Sequence, residues 1–265
     1  ARVSGSAGTG KTIVALHRAV HLARSNPDAR VLLTTFSDTL ANALRVKLRR
    51  LISNVPRLAE RLEVHAIDGI GERLYEMHIA RPMIATREHV RQLLTDASGK
   101  KGSQRFAPRF LLGEWEDVVD AWQLHTWEDY RDVKRLGRKA RLSEQQRLAV
   151  WEVFELAKQD LTEQGLVTRA EMFSQLAEKL QTRRNPPFDF AVVDEAQDIG
   201  VAQLRFLSAL GGGRPNALFF AGDLGQRIFQ TPFSWKSLGV DVRGRSQTLR
   251  INYRTSHQIR SQADC

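Results

Sequence analysis

Gly5-Ser6-Ala7-Gly8-Thr9-Gly10-Lys11-Thr12 fits the pattern G-x-x-x-x-G-K-[ST] at every fixed position. Glycines let the backbone turn tightly and aim successive amide hydrogens inward, which is what a chain of phosphates needs. A helix starting at such a loop adds its positive N-terminal end. In this arrangement Lys11 reaches the β- and γ-phosphates of a nucleoside triphosphate, and the Thr12 hydroxyl coordinates magnesium.

A second group of chemical residues follows much later, in Val192-Val193-Asp194-Glu195-Ala196-Gln197-Asp198. Acids directly after an apolar strand fall at the strand's carboxyl end, where parallel α/β sheets bind ligands. That position suits Asp194 to hold magnesium, through water, and Glu195 to orient and deprotonate an attacking water.

The elements that must carry these residues are readable at both ends of the chain. Arg2-Val3 reads as the tail of a strand, Lys11 to about Arg24 as a helix, Ala29 to Thr35 as a buried strand and Thr39 to Leu51 as a basic helix. Leu62-Glu63-Val64, Phe188 to Val193, Ala217 to Ala221 and Thr248 to Ile251 read as further strands. Strands separated by helices imply a parallel sheet covered on both faces.

The middle of the chain differs. From about Ile67 to Thr182 the periodicity is mostly helical, with Leu148, Trp151, Phe154 and Ala157, and Met172, Phe173, Leu176, Ala177 and Leu180, spaced as core stripes. Lys100-Lys101-Gly102-Ser103 reads as a loop. Arg131 to Arg147 is strongly basic, and serves as well for a solvated face as for a nucleic-acid contact. The expected fold is therefore α/β: a parallel-sheet lobe of residues 1–66 and 186–265, interrupted by a helical subdomain of residues 67–185.

Forty lysines and arginines stand against thirty aspartates and glutamates, a net charge of +10, which favours a polyanionic partner. With 42% apolar and 26% charged residues, the chain can build a core without disulfides or a structural metal. Its one cysteine, Cys265, excludes a disulfide framework and favours a reducing, cytoplasmic setting. No apolar run approaches the roughly 20 residues that span a bilayer, so no membrane partner is expected.

A phosphate loop followed much later by Asp-Glu-Ala-Gln-Asp resembles superfamily I helicases of the UvrD/Rep type. Two more segments carry the resemblance. Gly222-Asp223-Leu224-Gly225-Gln226-Arg227-Ile228-Phe229 looks like the family's Gly-Asp-x-x-Gln-x-Ile-aromatic motif, and Leu249-Arg250-Ile251-Asn252-Tyr253-Arg254 like its Leu-x-x-Asn-Tyr-Arg motif. The resemblance implies ATP with Mg2+, a 3′-to-5′ DNA motor, Gln226 as sensor of the γ-phosphate, Arg254 as its stabilising cation and Tyr253 stacked on adenine. It implies that single-stranded DNA and duplex junctions are partners.

The same resemblance marks candidate strand contacts. Thr34-Thr35-Phe36-Ser37 looks like the family's Thr-Phe-Thr motif, in which hydroxyls such as that of Thr35 meet phosphates and the aromatic, here Phe36, meets a base. Val64-His65-Ala66-Ile67 is similar to its Thr-x-His region, with Val64 in place of a common threonine; His65 is a strand contact or a satisfied buried histidine. Where the family often has a stacking tryptophan this chain has Thr231, with Trp235 four residues on.

The family pattern includes a glutamine upstream of the phosphate loop and a second RecA-like lobe with its own γ-phosphate arginine. The expectation is thus an N-terminal lobe fragment that binds nucleotide weakly, hydrolyses it slowly and unwinds nothing alone. A nucleic-acid-dependent ATPase switch, an RNA-directed motor and a small-molecule kinase are the alternatives. Gln226 and Asn252-Tyr253-Arg254 speak against the last, and backbone-reading motifs leave DNA against RNA open.

Overall fold

In the computed structural model the described residues are 1–102, 106–133, 142–183, 185–223, 235–240 and 244–253. Among these residues six strands form one sheet: β1 (Arg2–Ser4), β2 (Val31–Thr35), β3 (Leu62–Ala66), β4 (Phe190–Val193), β5 (Leu218–Ala221) and β6 (Ser246–Thr248). Their spatial order is β3-β2-β4-β5-β1-β6, and every pairing is parallel. All carboxyl ends therefore share one edge. The chain is α/β, with helices on both faces of the sheet, as its alternating ends require.

Residue alternation along the strands sorts the core into two layers. On one face α1 (Lys11–Ser25) and α2 (Asp38–Leu51) bury Leu16, Val20, Leu44 and Leu48 against Val31, Leu33, Val192 and Phe219. On the other, α3 (Ile67–His78), α8 (Arg169–Gln181) and α9 (Val201–Gly211) bury Leu74, Phe173, Leu176 and Phe206 against Leu32, Ala191, Val193 and Phe220. Each large apolar side chain so buried contributes about 1.5–3 kcal/mol.

Between β3 and β4 the chain is helical. Beyond α3 and α8 it forms α4 (Arg87–Lys100), α5 (Pro108–Glu114), α6 (Trp127–Asp132) and α7 (Glu144–Glu163), with a π-helical segment at Trp115–Asp120. These close a separate core around Leu94, Leu111, Trp115, Tyr130, Trp151 and Phe154. Two sequence expectations are corrected here. Leu148 is exposed; at about 100° per residue it falls on the opposite side of the helix from Val150, Val153, Phe154 and Ala157. The Lys100–Ser103 loop begins one residue later than expected, since α4 includes Lys100, and Ser103 lies outside the described residues.

The last strand also differs from its expected place. β6 lies at Ser246–Thr248, in register with Arg2–Ser4, and not at Thr248–Ile251. Leu249 still donates its amide to the Ser4 carbonyl at 2.8 Å, but Asn252 and Tyr253 leave the sheet for the phosphate loop. Among the described residues no helix is long and apolar enough to cross a membrane.

Candidate nucleotide site

Strand β1 ends at Ser4 and releases the chain into the glycine-rich loop. Gly5 has no room for a side chain: a Cβ there would lie 2.6 Å from the Thr9 hydroxyl and 2.9 Å from the Leu249 carbonyl. Thr9 is buried and donates its hydroxyl to the Ser6 carbonyl at 2.8 Å, drawing the loop closed. Lys11 folds back over the loop, donating from Nζ to the carbonyls of Gly5 at 2.6 Å and Ser6 at 2.9 Å. Its ammonium is thus held at the mouth of the loop rather than in solvent.

Helix α1 begins directly at Lys11, with left-handed Gly10 (φ 86°) as its cap and no acid in its first turn. Its terminal amides are offered to an anion without a competing carboxylate. Asn252 Nδ2 donates to the Ala7 carbonyl at 3.0 Å and the Tyr253 amide to the Gly8 carbonyl at 3.1 Å, so the segment after β6 clasps the loop from outside. The Tyr253 ring is 78% exposed.

Facing the loop is the end of β4. The Asp194 amide donates to the Thr34 carbonyl of β2 at 2.8 Å, which seats the residue over the middle of the sheet. Asp194 is only 4% exposed. Burial is the main reason its carboxyl is pushed up to about 6, helped by the charge of Glu195; a hydrogen bond from Thr12, one from the Glu195 backbone and the charge of Lys11 act the other way. Glu195 has a left-handed backbone (φ 53°), a conformation that costs a residue with a side chain about 1–3 kcal/mol and is typical of functional positions.

A cavity of about 440 Å3 joins the two walls, lined by Gly8, Gly10, Lys11 and Thr12 on one side and Asp194, Glu195 and Asp223 on the other. The residues suit a triphosphate with a divalent ion. A hydroxyl and a buried carboxylate lining one cavity form a hard oxygen donor pair, and the buried Ser6 hydroxyl has no partner among the described residues. Among the described residues no group of three or more His, Cys, Asp or Glu side chains could hold a metal alone. Magnesium takes one or two carboxylates and completes its shell with water and substrate phosphates.

The candidate strand contacts lie along the same carboxyl edge. Phe36 directly follows β2 and is 49% exposed, whereas Thr35 is fully buried, its hydroxyl without a partner among the described residues. The structure brings Phe36 to the surface and buries Thr35, away from any bound strand. His65 on β3 sits opposite Thr34 and is held by Glu63, Nε2 to Oε2 at 3.0 Å. Glu63 also takes Arg30 at 2.6 Å and Arg73 at 3.0 Å; partial burial would raise its pKa, yet bonds from Arg30, His65 and Arg73 hold it below the ordinary range. Trp235 is a core residue, edge-on to Phe220 with ring centroids 4.7 Å apart. Gln226, Thr231 and Arg254 lie outside the described residues, as does part of the basic stretch, residues 134–141.

Three site residues had been given no role from sequence: Gln197, Asp223 and Asn252. Each stands inside a motif quoted above, but has a partner from another part of the fold: Gln197 meets Asp223, and Asn252 meets Ala7.

The family model for the UvrD/REP helicase N-terminal domain matches residues 1–233. No curated protein matches the chain.

Proposed function

The chain belongs to the UvrD/REP helicase N-terminal domain family, and from that premise we propose that it is the ATP-binding and hydrolysing lobe of a motor that moves 3′-to-5′ along single-stranded DNA and unwinds duplex junctions. The observation that carries this reading is the shared cavity of Lys11, Thr12, Asp194 and Glu195 at the carboxyl edge of the sheet.

Gly5 to Gly10 present backbone amides to the phosphates, and Lys11 neutralises charge on the β- and γ-phosphates. Thr12 and Asp194 hold Mg2+, which when bound withdraws charge from the phosphate oxygens. Glu195 orients the attacking water and accepts its proton. Gln226 senses the γ-phosphate, Arg254 stabilises its developing charge and Tyr253 stacks on the adenine.

Phe36, exposed at the end of β2, stacks on a base of the bound strand, and His65 contacts the strand beside it. Base–aromatic stacking tolerates any sequence, which suits a motor that must step along all of them. Residues 1–66 and 186–265 form the lobe. Residues 67–185 form the inserted subdomain, its outer part on its own core and its two ends, α3 and α8, packed on the sheet. A second RecA-like lobe completes the nucleotide cleft, and closure of that cleft drives each step. The motor acts in the cytoplasm.

In the full-length natural protein Glu195→Gln abolishes ATP turnover and preserves ATP binding. Unchanged turnover overturns the assignment of Glu195. A duplex with a 3′ tail is separated and one with a 5′ tail is not; separation of neither makes the protein a nucleic-acid-dependent switch.

A further inference from the structure

Glu195 does not stand alone in the cavity. The Gln197 side chain donates from Nε2 to Glu195 Oε2 at 2.7 Å and accepts at Oε1 from the Asp223 amide at 3.0 Å. The same Nε2 lies 3.4 Å from Asp198 Oδ2. This fixes which way the amide faces: reversed, it would set its oxygen against a carboxylate and its NH2 against an N–H. One amide therefore ties the carboxylate at the end of β4 to the first residues after β5.

The packing around this bridge leaves no slack. A Cβ on Gly222 would lie 2.7 Å from Gln197 Oε1, 2.8 Å from the Ala196 amide nitrogen and 3.0 Å from that of Gln197. The exit of β5 thus lies directly on the Gln197 amide. Glu195, at φ 53°, carries its side chain from a strained backbone, and a hydrogen bond to one carboxylate oxygen restricts how that side chain turns. In sequence, Asp223 stands three residues before Gln226.

We propose that Gln197 is a positioning residue for ATP hydrolysis, which aims the Glu195 carboxylate and makes that aim depend on where the β5 exit holds the Asp223 amide. The proposal rests on the reading of Glu195 given above. It makes Gln197 the element through which a change in the segment carrying Gln226 reaches the group that activates water, with no contact between Gln197 and the nucleotide.

Steady-state ATP hydrolysis by the full-length protein, stimulated by oligothymidylate, tests it with Gln197→Ala, Gln197→Glu and Glu195→Gln. Gln197→Ala lowers kcat about 10- to 100-fold, the usual effect of losing a positioning contact, with KM for ATP, Mg·ATP binding and melting temperature near wild type. Gln197→Glu keeps an acceptor for the Asp223 amide but turns a carboxylate toward Glu195, so its kcat is no higher than that of the alanine variant. Wild-type kcat in Gln197→Ala overturns the proposal. So does recovery of kcat in Gln197→Glu, which would leave Gln197 only the task of holding the β5 exit, and so does a parallel loss of ATP binding. If Glu195→Gln also turns over normally, the reading of Glu195 fails, and the proposal with it; if Glu195→Gln is inactive while Gln197→Ala is normal, the proposal alone fails.

Discussion

Thr12, the second residue of α1, and Asp194, at the end of β4, line one cavity. The phosphate loop and the acidic strand end thus face each other across it. A hydroxyl and a carboxylate so placed are two hard oxygen donors for one ion. The other features of the site follow from keeping these two walls at this separation, and each can be disturbed singly.

Gly5→Ala places a methyl group against the Thr9 hydroxyl and the Leu249 carbonyl, at 2.6 and 2.9 Å. The loop must shift, at a cost of about 1–3 kcal/mol. Chemical denaturation reads that loss, and nucleotide titration reads weaker binding, because the same shift moves the carbonyls that hold Lys11.

Phe36→Ala separates binding from folding. An aromatic ring that is 49% exposed contributes little to the core, so the melting temperature stays within a degree or two of wild type. Affinity for single-stranded DNA, measured by fluorescence anisotropy, falls by about 1–3 kcal/mol, the worth of one base stack. The loss is the same for different base sequences.

Tyr253→Ala spares the fold as well, since the exposed residue meets the phosphate loop through its backbone amide. KM for ATP rises about three- to tenfold, the value of one aromatic stack, and kcat changes less.

Asp120 gives the helical subdomain a pH dependence. Burial pushes its carboxyl up to about 6, against bonds from Thr168 Oγ1 at 2.5 Å and Gln123 Nε2 at 2.9 Å. Nearby Glu171 raises it further and Lys158 lowers it. The unfolded chain releases this proton near 3.8, so between 3.8 and 6 the native state holds more protons and stability falls as pH rises. Asp120→Asn keeps an oxygen for both donors and removes the charge. It is more stable than wild type at pH 8, by on the order of 2 kcal/mol, and the difference vanishes by about pH 4. Urea unfolding across that range checks both the sign and the window.

The site was legible in the sequence where its chemistry is contiguous. Gly5 to Thr12 and Val192 to Glu195 each combine a strand end with its functional residues, so local pattern fixes local geometry. Long-range pairing was not legible. β6 begins at Ser246 because the backbone of Arg2–Ser4 sets the register, and no periodicity in Ser246–Ile251 encodes that choice. Thr35 and Phe36 are neighbours in one motif, yet one is buried and the other exposed, because strand alternation and the strand's end fall between them. Gln197 meets the Asp223 amide across 26 residues, a contact made only when β4 and β5 pair.

The central claim is that Lys11 grips a triphosphate at this cavity. Calorimetric titration of Mg·ATP into the full-length protein and its Lys11→Ala variant tests it most directly. The account predicts that the variant loses at least about 2 kcal/mol, some 30-fold in Kd, since a charge-assisted contact is removed. Equal affinity in the two proteins would contradict it.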